Sequence, residues 1–84
     1  MLFRSVPTAN GYPRSIAPGP DGALWFTERD PAGNKVGRIT TTGLIAEFAI
    51  PSDRSGAHSI TNGPDGALWF TEYYGSRIGR LALP

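Results

Sequence analysis

The chain has 84 residues, enough for one small domain, and is 39% hydrophobic and 18% charged. Its eight basic and seven acidic residues are scattered and leave a net charge of +1, which gives no electrostatic basis for binding nucleic acid or a membrane surface. Without cysteine there are no disulfides and no thiolate metal site, and without a long apolar run or a basic leader the expectation is a cytoplasmic protein with no membrane span and no signal peptide.

Eleven glycines and eight prolines punctuate the chain, which suits short strands and disfavours long helices. In chain order, residues 2–6 predict a short strand, residues 7–13 a loop and residues 15–18 a second strand. Gly19-Pro20-Asp21-Gly22 is turn chemistry: proline presets φ, aspartate caps its own backbone and glycine accepts positive φ. Residues 23–28 (ALWFTE) form the third strand. It lacks strict apolar/polar alternation, so it reads as a strand covered on both faces. After a polar loop at 29–34, residues 35–40 (KVGRIT) and 44–50 (LIAEFAI) predict two more strands around a Thr-Thr-Gly turn. The pattern then restarts, with a loop at 51–57 and strands at 58–62, 67–72 and 77–83 (RIGRLAL).

The restart is a true repeat. GPDGALWFTE occurs at 19–28 and again, identically, at 63–72, an offset of 44 residues. Pro7 aligns with Pro51, Val6 with Ile50 and Ile16 with Ile60; Val36-Gly37-Arg38-Ile39 aligns with Ile78-Gly79-Arg80-Leu81 once two extra loop residues are allowed. A repeat of about 40–45 residues holding four short strands is the signature of a propeller blade. The predicted architecture is therefore all-β. One blade spans 15–50, and a second spans 58–83 and lacks its own fourth strand. The N-terminal strand 2–6 is a fourth strand with no blade before it, placed to clasp a last blade.

Two blades cannot close a ring, because propellers use roughly four to eight. Open blade faces carrying Trp25, Phe26, Trp69 and Phe70 would leave about 4–6 kcal/mol of burial per ring unrealised, from roughly 150–250 Å² at about 25 cal/mol per Å². The expectation is a homo-oligomeric ring, a trimer of six blades or a tetramer of eight, with the N-terminal strand of each chain completing its neighbour's last blade.

His58 is the only histidine, and it lies as far before Asp65 as Glu72 lies after it. In an antiparallel hairpin the two should face each other at one end of the blade, as a base with a metal-holding or orienting carboxylate. Glu28 holds the position of Glu72 in the first repeat, and Arg14 the position of His58. Tyr73 and Tyr74 follow in the adjoining loop, on the face of His58, where they could stack on a ligand. The structural alternative is that Glu28 and Glu72 are paired by Arg14, Arg38 or Arg80, and that His58 is a partly exposed loop residue. Trp25 and Trp69 read as packing between blades, and Asp21 and Asp65 as turn residues. No glycine cluster has the strand and helix context of a phosphate loop.

GPDGALWFTE, the IGR segment, the Thr-Thr-Gly turn, the EFAIP strand and Ser55-Gly56-Ala57-His58-Ser59-Ile60 before the next GPDG resemble the repeats of the streptogramin B lyases, also called virginiamycin B lyases. The resemblance runs through both repeats. It implies a seven-bladed propeller and magnesium-dependent linearisation of a cyclic depsipeptide antibiotic by elimination, a resistance activity, with a histidine as general base and glutamates on the metal. It matches His58 to the base and Glu72 to a metal glutamate fourteen residues on. Glu28 would serve as a metal ligand from the other blade, and Arg14 and Tyr73 as substrate contacts. It also implies a further glutamate two residues before the histidine, where this chain has Gly56. Two readings follow. One is a self-assembling scaffold or binding module without efficient catalysis, with a small cyclic peptide as its ligand. The other is a magnesium-dependent carbon–oxygen lyase.

Overall fold

The computed structural model describes residues 1–9, 11–29, 34–51 and 55–83. Among the described residues all regular structure is β. Strands β1 (Pro13–Pro18), β2 (Leu24–Glu28), β3 (Lys35–Ile39) and β4 (Ile45–Ala49) form a four-stranded antiparallel sheet in chain order. β5 (Ala57–Asn62), β6 (Leu68–Glu72) and β7 (Arg77–Leu81) form a three-stranded sheet in the same manner. Among the described residues no helix is long and apolar enough to cross a membrane.

The sheets stack with β5 against both β1 and β2. Trp25 and Val36 of the first sheet meet Ile60, Leu68 and Phe70 of the second, and Ile50 of the connection and Ala57 at the start of β5 complete the core. The register accounts for this division. Ala17, Trp25 and Arg38 are cross-strand partners on one face, and Ile16, Phe26, Gly37 and Glu47 are partners on the other. The expectation of two covered faces holds for β2, where Trp25, Phe26, Thr27 and Glu28 are all buried. It holds by half for β6, where Leu68, Phe70 and Glu72 are buried while Trp69 is half-buried and Thr71 exposed. The identical decapeptide thus sits in two environments. Only Trp69 of the four expected aromatics lies on an uncovered face.

Each repeated turn is locked by its aspartate. Asp21 Oδ1 accepts hydrogen bonds from Ala23 N (3.2 Å) and Trp25 Nε1 (3.1 Å), while Oδ2 accepts from Arg38 Nε (2.8 Å). Asp65 repeats this with Ala67 N (3.1 Å), Trp69 Nε1 (3.0 Å) and Arg80 Nε (2.9 Å). The guanidiniums lie 5.9 and 5.7 Å from the centroids of Trp25 and Trp69, a cation–π contact. Burial raises the Asp21 carboxyl, but hydrogen bonds from Arg38, Trp25 and Ala23 outweigh it and hold it at about 2. Hydrogen bonds from Trp69, Arg80 and Ala67 hold Asp65 at about 2 as well. Arg38 and Arg80, expected as glutamate partners, therefore serve the turns instead.

The glycine in each VGRI-type strand has a packing reason. A Cβ on Gly37 would stand 2.1 Å from Phe26 Cζ, and one on Gly79 would stand 2.3 Å from Phe70 Cζ. The ring of β2 or β6 lies over its neighbouring strand and fills the space a side chain would need.

Residues 2–6, expected as a strand, form none. A fourth strand needs the free edge of a three-stranded sheet, and in a single chain that edge belongs to β7 of the other sheet. Arg4 and Val6 instead line a cavity of about 260 Å³ on the first sheet with Ile16, Phe26, Ile39 and Ile45.

Candidate functional site

The first strand of each sheet slips register by one residue. Ile60 pairs with Phe70 and Ala57 with Glu72, so His58 and Ser59 together oppose Thr71. The same slip lies between Pro13 and Ile16 opposite Thr27. The threonine hydroxyl fills each bulge by accepting the exposed amide: Ser59 N to Thr71 Oγ1 is 3.1 Å, and Ser15 N to Thr27 Oγ1 is 3.2 Å. This corrects the simple hairpin reading. Ala57, not His58, lies opposite Glu72, because one extra residue displaces the histidine onto the exposed rim.

His58 lines a cavity of about 310 Å³ with Arg14, Arg29, Gly56, Tyr73 and Tyr74. The imidazole and the Tyr73 ring are 6.2 Å apart between centroids, tilted by 39°, and Tyr73 meets Tyr74 edge-on at 5.5 Å. Arg29 Nη2 donates to the Tyr74 hydroxyl (3.3 Å). Beneath the rim, Gly56 O accepts from Tyr73 N (3.0 Å) and Ser55 O from Tyr74 N (3.2 Å). Ser55 is fully buried and fixed by Asn34, whose Oδ1 accepts from Ser55 N (3.1 Å) and Oγ (2.6 Å). Both sheets thus build the cavity: Arg14 and Arg29 come from the first, and the remaining lining residues from the second and its connection.

The structure brings His58, Arg14 and Tyr73 together, as the sequence suggested, and leaves Glu72 and Glu28 out. Glu72 is buried beside Gly75, with Arg77 Nη1 3.8 Å from its Oε1. Glu28 is fully buried on the first sheet beneath Gly11, next to Glu47. With both carboxyls ionised, both oxygens of Glu28 and Oε2 of Glu47 have no donor. A proton held between them supplies one, since burial and then the hydrogen bond and charge of Glu47 raise Glu28 to about 8. Burial acts upward on Glu47 too, but hydrogen bonds from Glu28 and Thr8 and the charge of Lys35 bring it below the ordinary value. Thr8 Oγ1 donates to Glu47 Oε1 (3.0 Å) and accepts from Lys35 Nζ (2.8 Å).

These residues do not fit a magnesium site around His58. Two guanidiniums and no carboxylate line the cavity, and no group of three or more His, Cys, Asp or Glu exists among the described residues. Gly56, where the resemblance expects a glutamate, has φ +64°, and a Cβ there would stand 2.6 Å from Tyr74 Cδ2. Sequence reasoning missed Arg29 at this site. The signal was available, since Arg29 follows Glu28 as Tyr73 follows Glu72.

The profile of the virginiamycin B lyase family matches residues 2–84. The chain belongs to that family. Among solved structures, selenomethionine-substituted virginiamycin B lyase from Staphylococcus aureus is 49% identical, with a TM-score of 0.87 over 92% of this chain and 26% of that one. A catalytically inactive virginiamycin B lyase from Staphylococcus aureus with quinupristin is 41% identical, with a TM-score of 0.78 over 92% of this chain and 29% of the other. A streptogramin B lyase structure is 41% identical, with a TM-score of 0.76 over 94% and 29%. No curated protein sequence matches. The chain thus spans under a third of these virginiamycin B lyase structures, and its two sheets are a propeller fragment of the family.

Proposed function

We propose that this chain is a propeller-forming module of the virginiamycin B lyase family that self-assembles and presents a binding rim without efficient catalysis. The composition of the rim carries the reading: His58 faces Tyr73, Tyr74, Arg14 and Arg29, and no carboxylate lines the cavity. Aromatic faces and guanidinium donors suit a carbonyl-rich ring compound such as a small cyclic peptide, because guanidinium donates to carbonyl oxygen and aromatic rings cover apolar surface. They do not suit a bare divalent cation, which needs oxygen ligands.

The exposed His58 beside Tyr73 favours a second reading as a carbon–oxygen lyase on a streptogramin B. In such an elimination His58 would take the proton from the carbon next to a carbonyl while the ester C–O bond breaks and a carboxylate leaves. Incubation with a streptogramin B and Mg²⁺, followed by mass spectrometry and absorbance, separates the readings. Elimination leaves the mass unchanged and creates a double bond, whereas hydrolysis adds water. The expected result is no conversion above a His58→Ala control; conversion abolished by that substitution would establish the lyase.

A further inference from the structure

The two repeats carry the same decapeptide, so the difference between their rims comes from what flanks it. Residues 14 and 58 hold one repeat position, and residues 29 and 73 another. The first repeat has arginine at both, whereas the second has His58 and Tyr73, with Tyr74 next in the chain. The structure sets these unlike groups around one cavity of about 310 Å³. One part of its wall is cationic and the other aromatic.

The cationic part is not neutralised. Arg38, Arg77 and Arg80 each have a carboxylate partner, but neither Arg14 nor Arg29 forms an ion pair among the described residues. The excess is local, since the whole chain carries a net charge of only +1. The Arg14 side chain makes no hydrogen bond among the described residues. The bond that Arg29 makes ends on the Tyr74 hydroxyl, 3.3 Å from Nη2. There the guanidinium donates and the phenol oxygen accepts, so the Tyr74 proton is left for another acceptor. The wall thus holds a surplus of donors, and an ionised carboxylate is the group that only accepts.

The aromatic part answers a different portion of a ligand. Tyr73 and Tyr74 are 73% and 57% exposed. Their backbone amides are nevertheless tied to Gly56 O and Ser55 O. Rings fixed in place but left in water gain when an apolar body is laid on them.

We infer that the rim binds an organic carboxylate, with the acid group between Arg14, Arg29 and the Tyr74 hydroxyl and an apolar or aromatic body on Tyr73 and His58. The inference rests on the reading of this rim as a binding site and names the group its ligand must carry. A planar carboxylate takes two parallel N–H donors from one guanidinium. Inorganic phosphate would satisfy the arginines but leave the rings uncovered.

Calorimetric titration of the full chain with N-acetylphenylalanine and with its amide isolates the charge, because the two probes differ only at the acid. The acid should bind about tenfold more tightly, as charge-assisted hydrogen bonds predict. The ratio should fall with added salt, because the arginines lie on an open rim. Arg14→Gln removes no bond of the fold and is the deciding variant; it and Arg29→Gln should each lower the ratio several-fold, whereas Tyr73→Leu should weaken both probes. Circular dichroism checks that each variant is folded. Equal affinity for acid and amide overturns the carboxylate site and leaves the binding rim standing. Binding of neither at millimolar concentration overturns both. A preference that survives Arg14→Gln combined with Arg29→Gln overturns the assignment of the acid group. Displacement of the acid by an equal concentration of inorganic phosphate overturns the role of the rings.

Discussion

At the residue scale, the least ordinary group is Glu28, fully buried with its oxygens against Glu47. Its carboxyl is raised to about 8 from an ordinary value of 4.5. A raised carboxyl holds its proton in the folded state after the unfolded chain has released it. The associated stability is full below about pH 4.5 and is lost as pH rises towards 8. The charged and titratable groups facing it are Glu47 from β4 and Lys35 from β3, and Lys35 works in the opposite sense. Glu28→Gln keeps the shape and supplies a permanent donor. Thermal melts of the native chain should therefore decline between pH 5 and 8.5, while those of Glu28→Gln stay nearly flat across that window. Equal slopes for the two would remove the shared proton. None of this was legible in the sequence. Glu28 was visible as the last residue of a repeated decapeptide, but its identical copy Glu72 sits by Arg77, because only the first sheet has a fourth strand to bring a second carboxyl alongside.

At the element scale, strand order, turn positions and the repeat were readable, because turn residues and β-rich runs act locally. The strand expected at 2–6 does not form, and the other seven fall within two residues of their expected ends. What escaped was the one-residue slip in β1 and β5, since no local pattern announces that a threonine hydroxyl will fill a bulge. That slip decides the rim, because it parts His58 from Glu72. A design that restores the implied glutamate meets a second obstacle. The left-handed backbone at Gly56 is not prohibitive, since its repeat equivalent Tyr12 adopts φ 49°. The obstacle is Tyr74, whose ring and backbone amide lie 2.6 and 2.9 Å from a Cβ at this position. Gly56→Glu should cost about 1–3 kcal/mol in urea unfolding, the usual range for overpacking. Gly56→Glu combined with Tyr74→Ala should recover part of it. Recovery of nothing would place the conflict in the backbone amide, not the ring.

At the scale of the whole molecule, the sequence foretold two blades, but not which surfaces would remain open, and the N-terminal strand it placed at residues 2–6 does not form. The aromatic count suggested that Trp25, Phe26, Trp69 and Phe70 would all be left to solvent. In the structure three of the four are buried, Trp25 and Phe70 between the sheets and Phe26 over Gly37 of β3, beside the N-terminal segment. Such a unit has more core of its own than the sequence implied, and the proposed association would add to an existing fold. The melting temperature should rise with protein concentration, because binding between folded copies stabilises the folded state by mass action. Scans over a hundredfold range of concentration check this, and an invariant midpoint would mean that the copies melt independently.

The side of β7 that has no partner strand among the described residues has one further consequence. An open strand edge templates any extended chain that meets it, and cationic side chains are a common guard against indiscriminate pairing. β7 begins with the exposed Arg77 and carries the exposed Arg80 three residues on. Arg77 and Arg80 are held on that strand by carboxylates of their own sheet, Glu72 and Asp65, so neutralising both arginines would strip the edge of its guard and favour amyloid-like fibrils.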